Sequence, residues 1–226
     1  MIHLKRATTA VLALVLALMC FSQRSASGTV QEGDKVRAAN LVYAVNKTST
    51  CFSDRFLTRL QQETNINTEP HLTRARLGSD EVFRFPFAVM TGEGSYQLTP
   101  KERENLKYYV THGGFLVASA SCSDPQWIQS FREEMKRIFP DNPLRIIPLQ
   151  HPIYRTVYNI ASTATIHGRN GANLEGLFYH NKIVAIFSPD GINDTAHTQG
   201  CCCCGGDELN DAEYYNVNAL AYALLH

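Results

Sequence analysis

The chain has 226 residues, 21 basic and 21 acidic side chains, no formal net charge and 44% hydrophobic residues. That composition suits a globular domain of ordinary size and supplies no basic excess with which to hold a nucleic acid. It does not account for seven cysteines, four of which stand side by side at 201–204.

Lys5 and Arg6 precede an apolar run over 7–21, and Ser25 and Ser27 occupy the −3 and −1 positions of a cut before Gly28. This pattern predicts a signal peptide over 1–27, because the run is shorter than the ~20 residues a spanning helix needs. Its removal leaves 18 bases against 21 acids, a formal charge of −3. Export to the periplasm or beyond is therefore expected. The mature chain carries no later run of membrane length. In an oxidising compartment its six remaining cysteines should be paired, metal-bound or buried.

Residues 28–38 read as a short polar tether, and 39–226 as one domain. The run "NLVYAV" at 40–45 predicts a buried strand, followed by a polar loop containing Cys51 and a helix carrying Phe56, Leu57 and Leu60 with Ser53 at its cap. "HLTRARL" is extended, and "FPFAVMTGEG" is a strand ending at Gly92 with Pro86 near its start. "LTPKERENLKYYVTHGG" carries the strongest helix signals: Thr99 and Glu102 as a capping box, Pro100 at the first position, Gly113 and Gly114 as the stop. "FLVASA" is a further strand with Cys122 in the turn behind it. Asp124 and Pro125 then open a helix bearing Trp127, Ile128, Phe131, Met135 and Ile138, whose "REEMKR" cluster predicts a solvated face. "LRIIPL" predicts a strand, "LEGLFYHNKIVAIFS" a hairpin turning at His180 and Asn181, and "NDAEYYNVNALAYALL" a closing helix with Asn210 and Glu213 as capping box. Alternating strands and helices imply an α/β fold: one three-layer domain with a mostly parallel sheet, flavodoxin-like or glutamine amidotransferase-like, with a hairpin in its second half.

The segments "RFPFAVMTGEGSYQLTPKERENLKYYVTHGGFLVASASC", "SFREEMKRIFPDNPLRIIPLQHPIY" and "NVNALAYALL" resemble, in order and over most of the mature chain, a bacterial family known as domain of unknown function 4159. The resemblance implies a fold like that of the class I glutamine amidotransferases and implies no activity. At the end of the "GGF" strand, where the family pattern tends to be acidic, this chain has "ASASCSD".

In an open parallel sheet, ligands bind beyond the carboxyl ends of the strands. Cys51, Cys122 and the run Cys201, Cys202, Cys203 and Cys204 all lie in loops predicted to leave such ends, so the topology predicts that they converge. Three chemistries are open to them. Cys51 and Cys122 with an alternate pair from the run would form a thiolate site for Zn²⁺ or Cu(I), with His197 or Asp207 able to substitute. Alternatively, Cys51 and Cys122 would each form a disulfide with the run. In the third, Cys122 is a nucleophile between strand and helix, with Gly92 and Gly94 supplying backbone N–H donors for an oxyanion. This last arrangement lacks flanking glycines at "SASCS" and a His-x-Glu pair after a late strand. His151, His167 and His180 read as loop histidines, and Asn46 and Asn193 begin Asn-x-Thr sequences that carry no meaning in a bacterium. The sequence thus predicts an exported domain with a cysteine-lined crevice that binds a small ligand or metal ion or is held by disulfides. A cysteine-dependent amidase or related hydrolase using Cys122 is the alternative.

Overall fold

A computed structural model describes residues 35–201 and 206–226; the leader, residues 28–34 of the tether and Cys202, Cys203 and Cys204 lie outside the described residues. The strands are β1 (Ala38–Val42), β2 (Thr73–Arg76), β3 (Phe87–Gly92), β4 (Phe115–Ala120), β5 (Arg145–Ile146), β6 (Glu175–Tyr179) and β7 (Lys182–Ser188). The α-helices are α1 (Arg55–Glu63), α2 (Pro100–Thr111), α3 (Pro125–Ile138) and α4 (Ala212–Leu225). The sheet order is β2-β1-β3-β4-β7-β6-β5. Strands β2, β1, β3, β4 and β7 run parallel, β6 pairs antiparallel with β7, and β5 with β6. With β7 in fifth place, the parallel part follows the flavodoxin-like order and reverses direction of build between β1 and β3.

Each central strand buries both faces, as a parallel sheet covered on both sides requires. On β3, Phe87 and Val89 face one layer with Phe56, Leu57 and Leu60 of α1 and Val217 and Leu220 of α4. Ala88 and Met90 face the other with Leu106, Tyr109 and Val110 of α2 and Trp127, Phe131 and Met135 of α3. Helix α2 has the predicted capping box, the Glu102 amide donating to Thr99 Oγ1 (3.2 Å) and the Thr99 amide to Glu102 Oε2 (2.7 Å). The amide of Trp127 donates to Asp124 Oδ1 (2.8 Å) at the cap of α3. The β6–β7 hairpin turns at His180 and Asn181, with φ of 45° and 63°, the pair of left-handed residues a two-residue I′ turn demands.

Four local expectations are corrected. Strand β1 stops at Val42 because Tyr43 and Lys47 exchange backbone hydrogen bonds (2.9 and 2.7 Å), forcing Ala44 and Val45 to positive φ. Asn210 and Glu213 form no capping box: Asp211 is the cap residue of α4, and Glu213 turns instead to Arg59 Nε (3.1 Å). "LRIIPL" yields only the two-residue strand β5. The "REEMKR" cluster is not wholly solvated. Glu134 is buried and binds Arg103 through two hydrogen bonds (2.6 and 3.0 Å) and Arg137 through one (2.5 Å), tying α2 to α3. Among the described residues no helix is long and apolar enough to cross a membrane.

Gly92 closes β3 where a Cβ would lie 2.6 Å from Tyr43 Oη and 3.2 Å from Trp127 Nε1. Gly92→Ala is therefore expected to destabilise the domain by ~1–3 kcal/mol in urea unfolding, the usual overpacking range. Gly78→Ala, whose Cβ would meet its nearest neighbour at an ordinary 3.6 Å, should stay within about 1 kcal/mol of wild type.

Candidate functional site

The loops that leave β1, β3, β4 and β7 meet above the carboxyl ends of these strands. At the switch point between β1 and β3 the crevice is filled from within. Trp127 Nε1 donates to Tyr43 Oη (2.6 Å), Tyr43 Oη donates to the Thr91 carbonyl (3.0 Å), and Lys47 Nζ reaches the Glu93 carbonyl (2.8 Å). Burial pushes the Tyr43 phenol well above its ordinary pKa, so it serves as a neutral hydrogen-bonding link. The Gly94 amide donates to Asp124 Oδ1 (3.1 Å), and Gly92 is wedged against Tyr43 and Trp127. Both glycines thus have structural roles, and the Gly94 N–H that was expected to serve an oxyanion is engaged by a carboxylate.

The loop from β7 is fastened to the neighbouring strands through Asn193, which is 1% exposed. Its Nδ2 donates to the Cys51 carbonyl (2.9 Å) and shares its remaining proton between Thr91 Oγ1 (2.9 Å) and Ser121 Oγ (3.1 Å). Its Oδ1 accepts from Ser119 Oγ, which itself accepts from the Ile192 amide (2.8 Å). The Ser53 amide donates to the Asn193 carbonyl (2.8 Å). One side chain therefore ties together β3, β4 and the loops behind β1 and β7.

The expected convergence of the cysteine loops is seen for the described residues. Cys51 and Cys201 form a disulfide across 150 positions of sequence, their Cα atoms 5.6 Å apart, within the range such a bridge requires. Placing these two residues in a metal site is accordingly corrected, since neither offers a thiolate. Cys202, Cys203 and Cys204, candidate ligands in the same proposal, lie outside the described residues. Among the described residues no group of three or more His, Cys, Asp or Glu is arranged to hold a metal ion.

Cys122 is half-buried in the turn between β4 and α3, and it and Ser123 take positive φ (50° and 53°). The turn has no glycine of its own; the small residue it needs comes from the loop opposite. A Cβ on Gly206 would fall 1.9 Å from the Cys122 carbonyl oxygen. Ser123 Oγ completes the clamp, donating toward the Asp190 and Asp207 carbonyls (3.1 and 3.0 Å) and accepting from the Asp207 amide (3.1 Å).

Two adjacent buried acids anchor the end of the β7 loop with opposite electrostatics. Burial alone would raise Asp207, but hydrogen bonds from Thr165, the Glu208 amide, Arg169 and His167 outweigh it and hold the carboxyl down at about 2. The contacts include Arg169 Nε at 2.7 Å and His167 Nδ1 at 3.1 Å. Glu208 is equally buried, and here burial outweighs the hydrogen bonds from Thr195 Oγ1 (2.7 Å), the Thr195 amide (3.1 Å) and the Asp194 amide and raises its pKa. Asp194, at φ 56°, sets its Oδ1 2.6 Å from His197 Nδ1. Asp194, His197 and Glu208 line a cleft of 340 Å³ with Arg55 and Arg59 of α1 and Asp211 and Tyr214 at the start of α4. His197, expected as a metal ligand, is thus positioned by a carboxylate at the rim of a cleft. Sequence reading missed Asn193, Asp194 and the pairing of His167 with Asp207. The signal for Asp194 is the left-handed tolerance of Asp in a loop that follows a strand.

Asn193→Ala should cost ~3 kcal/mol or more in urea unfolding, because it leaves the Ser119 hydroxyl and the Cys51 carbonyl without their buried partner and takes a donor from the Thr91–Ser121 hydroxyl pair. Asp207 has its folded pKa below the ordinary 3.8, so its contribution is present above that value and is lost as pH falls through about 2. Wild type should therefore lose stability between pH 4 and 2 more steeply than Asp207→Asn does, as read by thermal melts across that window.

A family model described as Domain of unknown function (DUF4159) matches residues 37–224, and no curated protein matches the chain. The match spans the sheet from the start of β1 through the body of α4, and the chain belongs to the DUF4159 family.

Proposed function

We propose that this is an exported small-ligand-binding domain whose carboxyl-edge loops are locked by disulfide chemistry. The observation that carries the reading is the Cys51–Cys201 bridge, which joins the loops behind β1 and β7 at the edge where open α/β sheets take their ligands. Disulfides persist in oxidising compartments, which accords with the leader-like pattern before Gly28. The glutamine amidotransferase-like relationship belongs to the same reading: a five-strand parallel sheet with Cys122 behind its fourth element suits that fold.

One observation favours a second reading. Cys122 sits at positive φ between strand and helix, a backbone state that costs free energy in a non-glycine residue and is common at reactive turns. The commitment of the Gly94 amide to Asp124 weighs against a hydrolase using the expected oxyanion donors.

The test uses protein recovered from the exported fraction, alkylated without reduction, digested and mapped. A cross-linked Cys51–Cys201 peptide pair is the expected result, and alkylation of both thiols in the folded protein refutes the reading. Cys51→Ser and Cys201→Ser should each lower stability by ~3–5 kcal/mol for so long a closed loop, with the double variant no worse than either. One equivalent of zinc together with an alkylatable Cys51 would reinstate the metal site instead.

A further inference from the structure

At the edge of the sheet opposite the cysteine bridge, where β3, β4 and β7 begin, three clefts of 410, 560 and 290 Å³ adjoin around the end of α2. The first two share Tyr108 and His112, and the second and third share Thr111 and Tyr179, so they form one continuous groove. The two larger clefts fall in the volume range of small-molecule sites. Phe83 and Tyr108, which stand in this groove, are the large aromatic side chains left exposed among the described residues, at 38% and 50%. Distant in sequence, their rings meet edge to face with centroids 5.0 Å apart, and Tyr108 stacks on His112 at 3.8 Å. A single exposed apolar residue is ordinary, whereas aromatic rings gathered in a groove mark a binding surface.

The charges and hydrogen-bonding groups beside the rings select the ligand. The two larger clefts carry Arg84 and Lys107 against Glu104 and Asp141, which leaves no formal net charge. Among the described residues Arg84, Lys107 and Asp141 form no ion pair, and Glu104 has only an exposed contact with Lys101 at 3.5 Å. A nucleic acid would stack on the rings but needs a basic surplus that this groove lacks. A proline-rich peptide, a common guest of aromatic grooves, offers backbone carbonyls and few N–H donors, so it leaves both carboxylates unmet. A sugar ring meets every requirement. Its C–H face is attracted by the negative face of an aromatic ring, and its hydroxyls can donate to Glu104 and Asp141 and accept from Arg84 and Lys107. A chain of such rings repeats the match from one cleft to the next.

We infer that this amino-edge groove binds a neutral oligosaccharide, with sugar rings stacked on Phe83 and Tyr108 and hydroxyls bonded to the charged side chains beside them. The site is separate from the carboxyl edge and stands without the function proposed there.

The experiment is an NMR titration of the intact oxidised domain with cellopentaose, chitopentaose and maltopentaose, and with glucose for comparison. At least one pentasaccharide should shift the Phe83, Tyr108 and Asp141 amides saturably and bind at least ~10-fold more tightly than glucose, the tenfold being worth about 1.4 kcal/mol. Tyr108→Ala should weaken that binding by ~10-fold or more, whereas Tyr108→Phe, which keeps the ring, should stay within about threefold of wild type. Asp141→Asn, at an exposed position, removes a carboxylate acceptor while keeping its shape and should weaken binding by about threefold or more; it decides the matter if Tyr108→Ala does not fold. No saturable shift with any of the three pentasaccharides would overturn the inference, as would glucose binding as tightly as they do. A loss in Tyr108→Phe as large as in Tyr108→Ala, or tighter binding of a proline-rich decapeptide than of any pentasaccharide, would overturn it too. A wild-type dimer in sedimentation that Tyr108→Ala makes monomeric would assign the groove to a second copy of the chain instead. None of these results touches the carboxyl-edge reading, which thiol mapping at 51 and 201 decides.

Discussion

The carboxyl edge of this domain depends on the carboxamide of Asn193. A parallel sheet gives each strand a long crossover, so the loops that gather at its ligand edge come from distant parts of the sequence and have no ladder hydrogen bonds to align them. Asn193 replaces that missing ladder. It offers two donors and an acceptor in a plane, and the partners reached are hydroxyls on β3 and β4 and a carbonyl behind β1. In the dry interior each of these bonds is stronger than in water, and each unmade bond would be correspondingly costly, so the network specifies one arrangement of loops rather than several. The Cys51–Cys201 bridge acts on the same pair of loops from outside, restricting the unfolded chain.

That fixed platform explains why the turn at Cys122 can sit in an uncomfortable backbone region. Left-handed φ at two successive non-glycine residues survives only where surroundings over-determine it. Here they do so by contact: Gly206 lies against the Cys122 carbonyl, Ser123 Oγ engages both Asp190 and Asp207, and the Gly191 Cβ position is closed off by the Ala120 carbonyl at 2.7 Å. The loop behind β7 thus shapes the loop behind β4. Gly191 and Gly206 of that loop are needed for close approach of backbones, while Gly92 is packed against Tyr43 and Trp127 and the Gly94 N–H is engaged by Asp124.

How much was legible follows from the range of the forces involved. The capping box of α2, the Asp124 cap of α3 and the I′ turn at His180 and Asn181 depend on neighbours within a few residues, and their residue types announce them. The convergence of Cys51 with the run at 201 could also be read, because strand direction places whole loops at one edge whatever their detailed shape. What could not be read was any pairing decided by tertiary proximity. Glu213 looks like a capping residue until Arg59, on a helix 154 positions away, competes for it. Glu134 looks like part of a solvated stripe until Arg103 is brought over it. Asn193 looks like the start of a meaningless sequon, since nothing in its neighbourhood shows that β3 and β4 present hydroxyls to it.

The same reasoning bears on why neighbouring acids in one loop behave oppositely. Asp207 and Glu208 are adjacent, and alternation along an extended chain sends their side chains to different sides. Asp207 meets cationic and hydroxyl donors from the loop carrying Thr165, His167 and Arg169, and it is held ionised as a structural anchor. Glu208 meets backbone amides and a hydroxyl at the 194–195 turn, where desolvation dominates. With both of those amides engaged by Glu208, Asp194 keeps one buried carboxylate oxygen, Oδ2, without a hydrogen-bond partner among the described residues. The anchoring of the loop and the sparse solvation of the Asp194 carboxylate therefore come from one arrangement: the amides of the 194–195 turn are turned to Glu208.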